Sequence, residues 1–307
     1  MRPSCPGLRF EGLKGAAPQP IRVLGPNKTG CNPVKIEAFW SFTMALKTNK
    51  MLAQIEEGIG WVTFNHPEKR NAISLEMWAA LGEILETFHH DPKVRVVVMS
   101  GAGGQAFVSG ADISEFDEKR GRAEQRESYA MVAANANRWL ANIDKPLIAM
   151  IEGFCIGGGL ATALNADVRF ATPNSTFGIP AARLGLGYEL AGLKALVALV
   201  GPAHARDIMI SARYFDAEEA QSMGLVNFVV EPSKLRDAVT AYASKVVANA
   251  PLTVHAARRA IRELLKPESA QAPARIQALI DTCFNSEDYK EGRQAFKEKR
   301  PPQFNGS

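Results

Sequence analysis

"KPLIAMIEGFCIGGGL", Lys145–Leu160, is the stretch that decides how this 307-residue chain reads. Pro146 to Ile151 is a continuous apolar run of strand length, as expected of a strand covered on both faces. Three consecutive glycines, Gly157, Gly158 and Gly159, then precede the helix-like pattern "LATALNAD". A strand that runs into glycines and then a helix leaves free backbone N–H groups at the positive end of a helix dipole, a place for developing negative charge. A second donor is expected from "AFVSGADI", Ala106–Ile113, which follows the apolar strand "VRVVVMSG" as the glycines follow "KPLIAMIEG". In a parallel sheet both loops open at the same edge. The alternative is that the glycines only let a helix pack tightly on a strand.

Other glycine-loop chemistries do not fit. Neither "GAGGQAF" nor "GFCIGGG" has the dinucleotide spacing GxGxxG, and no GxxxxGK[ST] phosphate loop occurs. "VSGAD" lacks the first glycine of a nucleophile elbow, which argues against a serine hydrolase.

Working outward, "MLAQIEEGIGWVTFN" predicts two short strands around Gly58–Gly60, and "SLEMWAALGEILETFHHD" a helix capped by Ser74. Leu75, Trp78, Leu81, Leu85 and Phe88 would share one face of that helix. A second helix is expected over about 122–143, a further strand in "DVRFATPNSTFGI", and mainly helix from about Pro202. Strands alternating with helices define an α/β class with a largely parallel sheet covered on both faces. Residues 1–47 are rich in Pro and Gly without periodicity and read as a poorly ordered extension, followed by an α/β core over 48–235 and a helical C-terminal part over 236–307.

The formal charge of +4 sits in that extension, which holds seven basic residues against two acidic ones and leaves 29 basic and 30 acidic residues for the rest. The bulk of the chain has no cationic surplus for phosphate neutralisation, so no nucleic-acid partner is expected. No apolar run approaches the roughly 18 residues that span a bilayer, and none is expected to enter a membrane. Cys5, Cys31, Cys155 and Cys283 form no CxxC pair, and His66, His89, His90, His204 and His255 have no ligand spacing, so neither a disulfide framework nor a metal site is expected. A reducing, cytoplasmic location is the default.

"HPEKRNAIS", "AFVSGADI", "KPLIAMIEGFCIGGGL", "TFGIPAARLGLG", "FDAEEAQSMGLVNFVV" and "DYKEGRQAFKEKRPPQF", in this order, resemble the enoyl-CoA hydratase/isomerase (crotonase) family over about Met51 to Phe304. The resemblance implies a ClpP-like spiral of β-β-α units with a helical C-terminal trimerisation part, assembled as a homotrimer or homohexamer. It implies an acyl-CoA thioester substrate and no cofactor beyond the coenzyme A that the substrate carries. The thioester oxygen would lie in an oxyanion hole formed by the N–H groups of Ala111 and Gly158. Ser109, Lys69 and Arg70 match stretches close to coenzyme A, and Lys299 matches a lysine that reaches the coenzyme A of a neighbouring subunit.

The same resemblance exposes a departure. Family members that hydrate enoyl-CoA carry two glutamates, at positions held here by Ala161 and Ala181. A methyl group cannot activate water or return a proton, and positioned acid–base groups contribute about 10²- to 10⁴-fold each. Ordinary hydratase chemistry through these positions is excluded. Glu189, eight residues beyond Ala181 where dienoyl-CoA isomerising members hold an aspartate, is the candidate base, with Tyr188 as a phenolic helper. Asp112, Glu115, Glu152 and Asp167 read as structural acids. The expected activity is enolate chemistry on an acyl-CoA, such as double-bond isomerisation. The alternatives are decarboxylation of a malonyl-type thioester, thioester hydrolysis, and a non-catalytic acyl-CoA-binding protein.

Overall fold

A computed structural model describes residues 42–112, 114–115, 123–188 and 190–307. In chain order they form β1 (Phe42–Thr43), β2 (Met51–Glu56), β3 (Ile59–Phe64), α1 (Leu75–His90), β4 (Val96–Gly101), β5 (Ala106–Val108), α2 (Ala123–Asn142), β6 (Leu147–Ile151), β7 (Phe154–Ile156) and α3 (Gly158–Ala163). There follow β8 (Val168–Ala171), β9 (Thr176–Gly178), α4 (Leu190–Ser211, broken at Gly201), β10 (Phe215–Asp216), α5 (Ala217–Ser222), β11 (Phe228–Val229), α6 (Pro232–Ala248), α7 (Pro251–Leu264), α8 (Pro273–Phe284) and α9 (Glu287–Glu298).

The expected α/β class is the class observed. A seven-stranded sheet runs β1-β2-β3-β4-β6-β8-β11, parallel from β3 onward. Its alternating side chains explain the apolar runs. Val97, Met99, Leu147, Ala149 and Ile151 point into the main core with α1 and α2, while Val96, Val98, Ile148 and Phe170 point to the other face, against Leu235, Val239 and Ala243 of α6. Ser74 caps α1 as its pattern predicts, accepting the Met77 N–H at 3.4 Å, and Trp78, Leu81, Leu85 and Phe88 are buried.

A second sheet, in the order β10-β9-β7-β5, was not anticipated. "AFV" and "FCI", in stretches expected as loops after apolar strands, are strands of three residues that pair in parallel, and "DVRFATPNSTFGI" supplies one strand to each sheet. Two boundaries also change. Residues 42–47 belong to the fold, because β1 pairs antiparallel with β2 and Met44 and Leu46 pack on the core; residues 1–41 of the expected extension lie outside the described residues. The boundary expected at residue 235 falls inside α6, whose apolar face closes the sheet.

Arg169 on β8 is 2% exposed. Its guanidinium donates to the carbonyls of Leu225 (2.6 Å) and Ala166 and reaches the Asn227 amide oxygen at 3.4 Å, sewing the turn before β11 to the sheet. Burial lowers its pKa to about 10. Replacing Arg169 by Met would strand those buried carbonyls, and unsatisfied buried groups cost about 1–3 kcal/mol each. Arg169→Met is expected to lower the urea midpoint, equivalent to a loss of about 3 kcal/mol, with an unchanged m value.

Candidate active site

Strands β5, β7 and β9 are neighbours in the second sheet, and β7 pairs in parallel with both others, so their carboxyl ends share one edge. To that edge they deliver Ser109–Ala111, Gly157–Gly158 and Pro180–Ala181.

Each loop is held by the chain around it. At Ala111, Ile73 grips the flanking peptides: the Ile73 N–H donates to the Gly110 carbonyl at 2.8 Å, and the Asp112 N–H donates to the Ile73 carbonyl at 2.9 Å. The Ser109 N–H donates to the Arg70 carbonyl at 3.1 Å. Gly110 makes this turn with φ of 125°, a conformation that side chains disfavour. Asn71, fully buried, accepts the His66 N–H and donates to the Ala102 and Ala106 carbonyls, which fixes residues 66–73 against β5.

On the other side, Gly157 turns the chain with φ of 53° and donates its N–H to the Gly178 carbonyl at 2.8 Å. The ring of Tyr214 lies on Gly178, where a Cβ would stand 2.6 Å from the ring. A Cβ on Gly159 would collide with the Val108 carbonyl oxygen, so the third glycine permits the close packing of α3 on β5. At Gly158 a Cβ would lie 3.7 Å from the Ala111 nitrogen. The two amides expected to act together are therefore neighbours, and neither N–H has an acceptor among the described residues.

The other sequence candidates are distributed as follows. The Lys69 ammonium donates to Asp112 at 2.9 Å and Ser114 at 2.8 Å, and the Arg70 guanidinium lies over the Phe154 ring at 5.0 Å. Ser109 Oγ donates to the Lys69 carbonyl at 3.4 Å. Lys299 caps the C-terminus of α9 in a left-handed conformation and is exposed. The tail beyond α9 meets the opposite, amino-terminal edge of the large sheet, where Arg95 donates to the Phe304 carbonyl at 3.0 Å. Tyr188 packs half-buried on the core, and burial raises its phenol pKa. Glu189 and Ile113 lie outside the described residues.

Ala181 is buried in a 3-10 turn, and Ala161 is half-buried on α3. Three of the four acids read as structural, Asp112, Glu115 and Asp167, are engaged. Glu115 accepts the Leu75 N–H at 2.8 Å, and Asp167 accepts the Leu147 N–H at 2.7 Å and the Arg258 guanidinium at 2.6 Å. For Asp112, burial would raise the pKa, but hydrogen bonds from Ser114 and Lys69 outweigh it and hold the carboxyl below its ordinary value. A carboxylate held so is a poor proton acceptor near neutrality. Sequence reasoning missed Ile73, Asn71 and Gly178, which act by backbone pairing or local turn geometry and carry no pattern of their own.

An α/β chain whose parallel strands β5, β7 and β9 present two uncommitted amides at one edge has donors there that can accommodate an anion or a polarised carbonyl. Comparison with known proteins gives this class a family. A model described as enoyl-CoA hydratase/isomerase matches residues 54–307. The short-chain-enoyl-CoA hydratase of Clostridium acetobutylicum is 33% identical over 255 residues, covering 83% of this chain and 97% of that protein. The (E)-benzylidenesuccinyl-CoA hydratase of Thauera aromatica is 33% identical, covering 83% and 98%. A solved structure of an enoyl-CoA hydratase/carnithine racemase from Magnetospirillum magneticum superposes with a TM-score of 0.79 at 35% identity, covering 87% of this chain and 98% of that one. The chain belongs to the enoyl-CoA hydratase/isomerase (crotonase) family.

Gly159→Ala tests the packing that brings the two amides together. The added methyl forces α3 away from β5, and overpacking of this kind costs about 1–3 kcal/mol. Urea denaturation should show the loss, whereas Gly185→Ala, where a Cβ would meet nothing within 4 Å, costs only its positive φ.

Proposed function

We propose that this chain acts on an acyl-CoA thioester and stabilises the enolate that forms when charge moves onto the thioester oxygen, using the N–H groups of Ala111 and Gly158. The observation that carries this reading is the adjacency of those two amides, both without an acceptor among the described residues. A donor aimed at a developing oxyanion contributes about 10²- to 10³-fold in rate. Relatives named as hydratases of short-chain-enoyl-CoA, crotonyl-CoA and (E)-benzylidenesuccinyl-CoA support an acyl-CoA substrate.

The reaction differs from hydration by paired glutamates, because Ala161 and Ala181 hold those positions. Asp112 and Glu115, the described acids nearest Ala111 in sequence, spend their carboxylates on Lys69, Ser114 and Leu75. Glu189 is the base in this reading. Tyr188, its phenol pKa raised by burial, stays neutral and supplies a hydrogen bond. One base suffices to shuttle a proton between two carbons, so double-bond isomerisation is the activity that this set of groups serves best. Decarboxylation of a malonyl-type thioester is the second reading, favoured by the same committed acids: loss of CO₂ generates the enolate without any base.

Ser109 and Arg70 belong with the coenzyme A-binding side of this proposal, and Lys299 with the site of a neighbouring subunit in a homotrimer or homohexamer. Support for assembly comes from the C-terminal helices, which leave Ile261, Leu264, Phe284 and Phe296 exposed. Among the described residues no helix is long and apolar enough to cross a membrane. A cytoplasmic location, with no cofactor apart from coenzyme A itself, completes the proposal.

Incubation with crotonyl-, 3-enoyl-, 2,4-dienoyl- and methylmalonyl-CoA, followed by mass spectrometry and chromatography, separates added water, an isomer of unchanged mass and lost CO₂. Conversion of a 3-enoyl or dienoyl ester to an isomer is expected, and Glu189→Gln should slow it by about 10²- to 10⁴-fold. An unchanged rate in that variant removes Glu189 as the base. CO₂ release that persists in it establishes the decarboxylase reading, and tight binding of every ester without turnover leaves a non-catalytic acyl-CoA-binding protein.

A further inference from the structure

Lys69 occupies the stretch that family resemblance places beside the coenzyme A phosphates, yet its charge is turned inward. Its ammonium donates to Asp112 Oδ2 at 2.9 Å and to Ser114 Oγ at 2.8 Å. Ser114 closes the ring by donating its hydroxyl and its N–H to Asp112 Oδ1, at 2.6 and 3.1 Å. The Asp112 carboxylate at the centre is 7% exposed, while the Lys69 side chain is 45% exposed. A positive charge matched by a buried negative one projects little field toward a phosphate.

Asp112 follows Ala111 directly, and its own N–H is bonded to Ile73. The side chain and main chain of Asp112 thus both hold the peptide that ends the Ala111 turn. Without Lys69 a buried carboxylate would keep only the Ser114 donors, and an ion without its partner is strongly unfavourable in such a place. The relief available is movement toward water, which carries the Ala111 peptide with it. A displacement of about 1 Å at a positioned group can cost about 10²-fold in rate.

We propose that Lys69 is a positioning residue for the Ala111 amide, acting through Asp112, and is not a ligand of the coenzyme A phosphates. The inference rests on the reading of Ala111 as a donor to the thioester oxygen.

The test uses two saturated probes labelled at the thioester carbonyl, [1-¹³C]butyryl-CoA and [1-¹³C]butyryl-pantetheine; the second lacks the nucleotide and its phosphates. Infrared difference spectra of the bound probes report polarisation of the carbonyl, and titration gives Kd. In the unaltered protein both probes should show the carbonyl band moved to lower frequency. In Lys69→Met that displacement should be lost for both probes, with Kd changed by the same factor for each. Asp112→Asn should lose it as well, and Lys69→Met/Asp112→Asn, which strands no buried charge, should lose no more than either single change.

A phosphate ligand gives the opposite pattern: Lys69→Met would weaken butyryl-CoA alone and leave the carbonyl band displaced, which overturns the inference. Retention of the displaced band in Asp112→Asn overturns the route through Asp112. An undisplaced band in the unaltered protein overturns the thioester reading, and this inference with it. A band displaced there but unaffected by Lys69→Met overturns only this inference.

Discussion

Everything at the candidate site depends on how closely one stretch of glycine backbone can lie against another strand. Gly159 leaves no room for a side chain beside the Val108 carbonyl, and that contact seats α3 against the end of β5. Only with α3 seated there does Gly158 come beside Ala111. Leaving two amides in a folded chain without acceptors is unfavourable, about 1–3 kcal/mol each where buried. Such groups persist only where the surrounding structure over-determines them. Here Ile73 clamps both sides of Ala111, and Gly178 holds Gly157.

Charge serves this architecture before it serves chemistry. Arg169 sews the turn before β11 to the large sheet, and Asp167 joins the start of β6 to Arg258 of α7. Glu115 satisfies the first N–H of α1, and Asp112 tethers Lys69 and Ser114 beside the Ala111 turn. Asp112, Glu115 and Asp167, three of the acids embedded in the family motifs, thus have structural partners, and hydrogen bonds from Ser114 and Lys69 hold the Asp112 carboxyl below its ordinary pKa.

The family's members include proteins named as hydratases of enoyl-CoA esters. Ala161 and Ala181 keep the backbone of their segments and contribute no ionisable atom. In the function proposed above, what the chain keeps is the feature shared by any reaction that passes charge to a thioester oxygen, a pair of preorganised donors at Ala111 and Gly158. Chemistry that asks little else of the protein is the chemistry proposed for this arrangement.

The local patterns determined the class of fold. The unbroken apolar runs of β4 and β6, the Ser74 cap and the apolar face of α1 each follow from burial and capping rules that act within a few residues. The family motifs likewise pointed to Ala111 and Gly158 as partners. The second sheet was out of reach, because strands of three residues such as β5, β7 and β9 are too short to show a period, and β1, with two, hid inside what reads as an extension. Only the tertiary structure decided that Ile73 meets Ala111, that Gly157 meets Gly178, and that Lys69 turns inward to Asp112. All three join residues about twenty to forty positions apart, and the first two run through backbone groups that every residue possesses. Side-chain pattern cannot encode which of them pair until packing has brought the strands together.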